Sequence, residues 1–224
     1  MATAVDTVRA RIAAACAAVG RDPDEVTLIA VTKRFPTSDA ALLLELGVPD
    51  LGESRDQEAK VKAADLPQAR WHFVGQLQTN KARSVARYAA AVHSVDRVDV
   101  VRALADGARR AQRGPLAVFV QVSLDDDPRR AGVDLDAVAA LAGDVAAESA
   151  LKLHGVMAVA PMDVDPAVAF ARLAEASAAV MATHPQAGAI SAGMSGDLDA
   201  AIAAGATHVR IGTALLGSRG PAVG

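Results

Sequence analysis

Residues able to do chemistry gather where short apolar runs end. "TLIAVTK" (27–33) ends on a lysine, directly before a helix-like segment, "TSDAALLLELG". Strand side chains alternate with period two, so Lys33 shares a face with Ile29 and Val31, while Leu28 and Ala30 face away. If that face lines a packed interior, the amine stands at a low-dielectric mouth. Such surroundings favour a neutral amine, and a neutral amine condenses with carbonyls.

"SAGMSGDLDAAI" and "RIGTALLG" each follow an apolar run and open a helical pattern. The first offers the Ser191 and Ser195 hydroxyls and pliable backbone at Gly193 and Gly196. The second offers the Gly212 and Thr213 amides and the Thr213 hydroxyl. Free amides at helix starts attract anions. Either stretch alone is an ordinary glycine turn, but the pair at the last two strands of a barrel points to a phosphate. A lysine beside a phosphate site suits pyridoxal 5′-phosphate, whose aldehyde and phosphate need those two groups. It equally suits a Schiff-base aldolase acting on a phosphorylated sugar, and spacing does not separate the two. Arg210 shares a strand face with Gly212, and three readings stay open for it: a partner of a pyridine nitrogen, a phosphate contact or a core ion pair.

The elements that must position these groups alternate along the chain. Strands are expected at 26–33, 50–53, 71–75, 91–95, 117–124, 153–159, 189–193 and 208–212, with helical patterns such as "RVDVVRALADGARRAQ" and "DPAVAFARLAEASAAVMATH" between them. The first segment spaces Val5, Val8, Ile12, Cys16 and Val19 by three and four, with Thr3 and Asp6 as a capping-box-like start and Gly20 as a stop. This alternation predicts a single α/β domain over 1–224, a (β/α)₈ TIM barrel with an extra N-terminal helix over about 3–20. The runner-up is a doubly wound open sheet, weakened because no G-x-G-x-x-G follows the first strand. In a barrel the C-terminal strand ends share one face. Here they carry Lys33, Glu53 with Ser54, His72 with Gln76, Ser94, Gln121 and the two phosphate-like loops.

Composition excludes other classes. The 224 residues are 52% hydrophobic but only 3% aromatic, with 23 basic against 26 acidic side chains for a net charge of -3, not the basic stripe of a nucleic-acid binder. No apolar run reaches the roughly 20 residues of a membrane span, and no basic n-region followed by an apolar stretch is seen near the N-terminus, so a secretory signal is not expected. Cys16 is the only cysteine, which rules out an intrachain disulfide and makes the cytoplasm the default. The histidines are scattered, without metal-binding spacing.

At these residues the chain resembles the pyridoxal-phosphate homeostasis protein family, single-domain relatives of the alanine racemase barrel. The matching segments are "LIAVTK", "GES" with "QEAKVK", "WHFVGQLQTNK", "HSVDR", "GVMAVAP" and "SAGMSGDLDAAIAAGATHVRIGTALLG", spanning about 28 to 217. The resemblance implies that Lys33 holds pyridoxal 5′-phosphate as an aldimine. It implies that Ser191 or Ser195, with Gly212 and Thr213, binds the phosphate, and that Arg210 faces the ring nitrogen. Ser54, His72, Gln76 and Asn80 are expected to line the site. Two positions depart from the family: Ser54 stands where G-E-N has asparagine, and Arg129 and Arg130 stand where a lysine is common, so no imine forms there at neutral pH.

Racemisation needs a proton donor and an acceptor on opposite faces of the substrate. In the racemases the second base is a tyrosine from another domain. The only tyrosine here, Tyr88, lies in the helical stretch "ARSVARYAA" and points to no strand end. The expectation is therefore a cytoplasmic, non-enzymatic protein that binds, protects and delivers the cofactor, with cofactor-dependent apoenzymes as recipients. It is expected to be a monomer or weak dimer, with no nucleic-acid or membrane partner. A weak amino-acid racemase and a class I aldolase are the alternatives.

Overall fold

Each apolar run becomes one parallel strand, and each helical pattern returns the chain across the outside. The computed structural model describes residues 1–125 and 131–217; Arg129 and Arg130 lie outside the described residues. The strands are β1 (Thr27–Val31), β2 (Asp50–Glu53), β3 (Arg70–Phe73), β4 (Ala89–Val95), β5 (Leu116–Gln121), β6 (Leu151–Met157), β7 (Ala189–Ser191) and β8 (His208–Ile211). They pair in sequence order into a closed barrel, β8 returning to β1 with Ile211 opposite Ala30. This is the expected (β/α)₈ architecture, and closure rules out the open sheet.

The helices are α1 (Ala2–Ala18), α2 (Thr37–Glu45), α3 (Asp56–Asp65), α4 (Thr79–Val85), α5 (Val98–Ala111), α6 (Val138–Ala146), α7 (Pro166–Thr183), α8 (Leu198–Ala203) and α9 (Thr213–Leu216). Outward strand residues such as Ala30, Leu51, Val92 and Val118 pack under them and are essentially inaccessible. None of the described helices is long and apolar enough to cross a membrane.

The extra helix α1 buries Val5, Val8, Ile12 and Cys16, the predicted stripe, in one apolar cluster with Leu43, Leu198, Ile202 and Leu215. Its start differs from expectation. The helix begins at Ala2, no side chain caps it, and Thr3 is already inside, its carbonyl accepting the Thr7 hydroxyl at 2.8 Å. Left-handed Gly20 does end it. Arg11 on α1 pairs with Asp199 of α8 and donates to the Ser195 carbonyl, so the added helix braces the loop after β7.

Several strands stop short of their expected ends: β1 at Val31, β3 at Phe73, β5 at Gln121 and β7 at Ser191. The chain leaves the ladder there to reach the helices, and Lys33 falls in a loop as a result.

Candidate functional site

Lys33 sits in the turn after β1. Thr32 N–H still bonds the Gly52 carbonyl at 2.9 Å, and Phe35 N–H then closes the turn on the Thr32 carbonyl at 3.0 Å. Arg34 holds φ 66°, a left-handed conformation unusual for a residue with a side chain. Lys33 is exposed at the tip, and no hydrogen bond or ion pair engages its ammonium among the described residues. The sequence expectation placed it at a low-dielectric mouth; the early turn instead puts it in water.

The turn is anchored from behind. Lys62 on α3 donates to the Thr32 carbonyl at 2.8 Å and also binds Glu53, whose Oε1 accepts the Thr32 hydroxyl at 2.7 Å. Lys62 and Glu53 are buried, so this ion pair is a fixed bracket rather than a surface contact. Glu53 stands at an expected strand end, but Thr32 and Lys62 carry no signal in the sequence, since nothing local ties "VTK" to "AKVK".

The loops after β7 and β8 meet as expected. Thr213 Oγ1 donates to Ser195 Oγ at 3.0 Å, and the Ala214 amide donates to the same oxygen at 3.2 Å. Gly193 makes the approach possible: its φ is +92°, and a Cβ there would stand 2.8 Å from the Ala201 methyl. The β8 loop also lies against β1, since a Cβ on Gly212 would sit 3.5 Å from the Val31 carbonyl oxygen. Lys33, Ser195, Gly212 and Thr213 therefore belong to adjoining loops of one barrel face.

Ser191 differs from Ser195. It lies on β7, fully buried, and its Oγ accepts from Arg210 Nη1 at 2.7 Å and meets His93 Nδ1 at 2.8 Å. Of the two serines, Ser195 is the one beside Thr213. Arg210 is buried on β8; Nη1 also donates to the Ser191 carbonyl and Nη2 to the Ala158 carbonyl, each at 2.8 Å. Burial lowers its pKa to about 10, which leaves it charged at neutral pH.

His72 also lies away from the expected place. It is buried, with Nε2 on Asp50 at 3.0 Å and Nδ1 on His93 at 2.9 Å, so both ring nitrogens are engaged inside the barrel. Asn80 is exposed in the first turn of α4, and Ser54 is half-buried after β2. The β3–α4 loop presses on Ser54 so closely that a Cβ on Gly75 would fall 2.2 Å from its carbonyl oxygen. Asp50, His93 and Ala158 were missed as site-related residues. The available signal for His93 was a polar residue inside the apolar run "AAAVHSV".

Residues 4–220 match the family model described as the alanine racemase N-terminal domain. The fold agrees: alanine racemase of Corynebacterium glutamicum superposes with a TM-score of 0.70 at 14% identity, over 97% of this chain and 62% of that one. Barrel and match define the class, an alanine-racemase-type N-terminal barrel. Nearer relatives narrow it. A pyridoxal phosphate homeostasis protein of Mycobacterium tuberculosis is 43% identical over 96% of this chain and 92% of that protein. One from Escherichia coli is 37% identical over 95% and 94%. PipY of Synechococcus elongatus, solved with PLP bound, has a TM-score of 0.80 at 33% identity, covering 92% of this chain and all of that one. The chain belongs to the pyridoxal phosphate homeostasis protein family.

Proposed function

We infer that this chain binds pyridoxal 5′-phosphate covalently through Lys33, and that it holds and hands on the cofactor rather than turning over a substrate. The observation that supports this reading is the approach of Gly212 in the β8 loop to Val31 at the end of β1, two residues before Lys33, with Ser195, Thr213 and Ala214 meeting in the same pair of loops.

The residues fit the group. Ser195, Thr213 and the Gly212–Ala214 backbone supply hydroxyls and amides to a phosphate. Lys33 supplies an unencumbered amine. Arg210 has five N–H groups, and its Nε–H and one Nη2–H are without a protein acceptor among the described residues, free to face a ring nitrogen. When bound, the cofactor brings an aldehyde reactive toward amines and a pyridine ring able to withdraw electrons. The charged guanidinium keeps the neighbouring ring nitrogen unprotonated, which weakens that electron withdrawal and favours storage over chemistry at the α-carbon. Tyr88, the only tyrosine, sits outside the barrel with its hydroxyl 3.4 Å from Asp56, and burial pushes its phenol pKa up. Both features support a carrier that serves cofactor-dependent apoenzymes in the cytoplasm.

The test is the visible absorption spectrum of the purified protein, with and without added pyridoxal phosphate, beside Lys33→Ala. A cofactor band in the wild type that is missing in the variant is the expected outcome. No band in either protein overturns the reading. Exchange of the α-proton across a panel of amino acids would instead reveal an enzyme.

A further inference from the structure

Inside the barrel, side chains from β2, β3, β4, β7 and β8 form a continuous hydrogen-bond chain: Asp50, His72, His93, Ser191 and Arg210. The links measure 3.0, 2.9, 2.8 and 2.7 Å in that order, and every member is buried. Asp50 anchors the far end, held by exposed Arg70 at 2.8 and 2.6 Å beside a cavity of about 230 Å³ at the N-terminal end of the barrel. The chain therefore runs from that cavity to the guanidinium near the opposite mouth.

Its polarity follows from the donors. Asp50 is ionised: burial alone would raise its pKa, but hydrogen bonds from His72 and Arg70 outweigh that and hold it at about 2. A carboxylate only accepts, so Nε2 of His72 carries a hydrogen, and in the neutral tautomer this leaves Nδ1 bare. With one hydrogen on each imidazole, His93 must then donate from Nε2 and accept at Nδ1. That acceptor takes the Ser191 hydroxyl hydrogen, and Ser191 Oγ is left with lone pairs for Arg210. Every bond is satisfied by this single assignment, with donation running from Arg210 down to Asp50. Burial first, then the charged Arg210, drives the His93 pKa well below its ordinary value, in keeping with a single ring hydrogen.

Interiors of such barrels are ordinarily filled by branched apolar side chains. A buried polar chain brings no evident stability over apolar packing of the same volume, so its presence is better explained by what its end positions. We propose that His93, His72 and Asp50 are positioning residues that act through Ser191 to lock the Arg210 guanidinium, aiming its free N–H edge at the pyridine ring of the bound cofactor. This rests on the cofactor reading above and extends it to residues that touch no part of the ligand.

Two measurements test the assignment. Nitrogen NMR of the cofactor-free protein reads the tautomers directly, and both His72 and His93 should carry hydrogen on Nε2. In the loaded protein, His93→Phe keeps a ring to stack on Phe119, 4.2 Å away between centroids, but removes the acceptor for Ser191. It should shift the cofactor absorption band and speed cofactor release by about tenfold, the scale of one hydrogen bond to a charged group. Asp50→Leu should do the same, whereas Asp50→Asn, which keeps an acceptor oxygen, should restore the wild-type band. Leu104→Ala, in the outer layer and off the chain, controls for general loosening. The proposal is overturned by Nδ1–H tautomers, or by a band and release rate in His93→Phe that match wild type or match Leu104→Ala. A wild type that takes up no cofactor sinks the functional reading itself, a result distinct from either.

Discussion

The C-terminal mouth and the barrel interior hold their polar residues on opposite terms. At the mouth, Lys33, Asn80 and Thr213 are exposed, and Ser54 and Ser195 are half-buried, all on turns or first turns of helices. In the interior, Asp50, His72, His93, Ser191 and Arg210 are buried on strands and bonded to one another. A group in water can swing toward a ligand at little cost. A buried polar group must be paired, because leaving it unpaired costs about 1–3 kcal/mol. Substitutions at the mouth should therefore change binding and spare stability, while those in the buried set should change stability as well.

The largest effect tests the bracket between the two regions. Lys62→Met leaves Glu53 buried without its cation and should cost about 3–5 kcal/mol, read as a lower urea midpoint at unchanged slope. A loss under about 1 kcal/mol would mean that water reaches the pair, moving the boundary of the interior inward.

Acid should break the interior next. Asp50 has a folded pKa of about 2, below the unfolded value near 3.9, so its contribution of about 2 kcal/mol is present above pH ~4 and is lost as pH falls through ~2. His208 adds to the loss over a higher window. Burial drives its pKa to about 3, so below pH ~6.5 the unfolded chain binds a proton that the folded chain refuses. Denaturation at a series of pH values should show stability declining from about pH 6.5 downward; a flat profile there would contradict a neutral, half-buried His208.

Mouth variants should act on binding alone. Ser195→Ala removes the oxygen that meets Thr213 and Ala214, and should weaken competition by inorganic phosphate for the cofactor site about tenfold. Smallest in stability, Lys33→Ala should leave unfolding within about 0.5 kcal/mol of wild type while abolishing the cofactor band. A larger destabilisation from either would dissolve the contrast between the two regions.

Much of this division was legible in the residues. Lys33, Ser195 and Thr213 could be picked out because reactive or anion-binding types stood where apolar runs stopped. Ser191 and Ser195 could not be told apart, since four residues separate a strand interior from a loop tip and only the ladder decides where the strand ends. The same uncertainty carried Lys33 onto a strand face. A turn closed by Phe35 on Thr32, with Arg34 left-handed, follows β1 at once, and no propensity announces that conformation in a residue with a side chain. At α1, Thr3 and Asp6 look like a capping box, yet Ala2 continues the helix to the chain start, where packing of Val5 and Val8 outweighs the cap.

By itself the sequence determined the alternation of strand and helix, the barrel it closes into, and the amine and hydroxyls at the mouth. The alternation and the residue types are local properties, the former encoded in periods of two and of 3.6 within single segments, and the barrel was an expectation drawn from them. Only the tertiary structure decided that His93 meets Ser191, 98 positions away, and that Arg210 is thereby linked to Asp50. Those meetings depend on barrel closure and strand register, which bring inward side chains of distant strands into one small volume. Pairing of this kind is a property of the whole ring, and no single segment contains it.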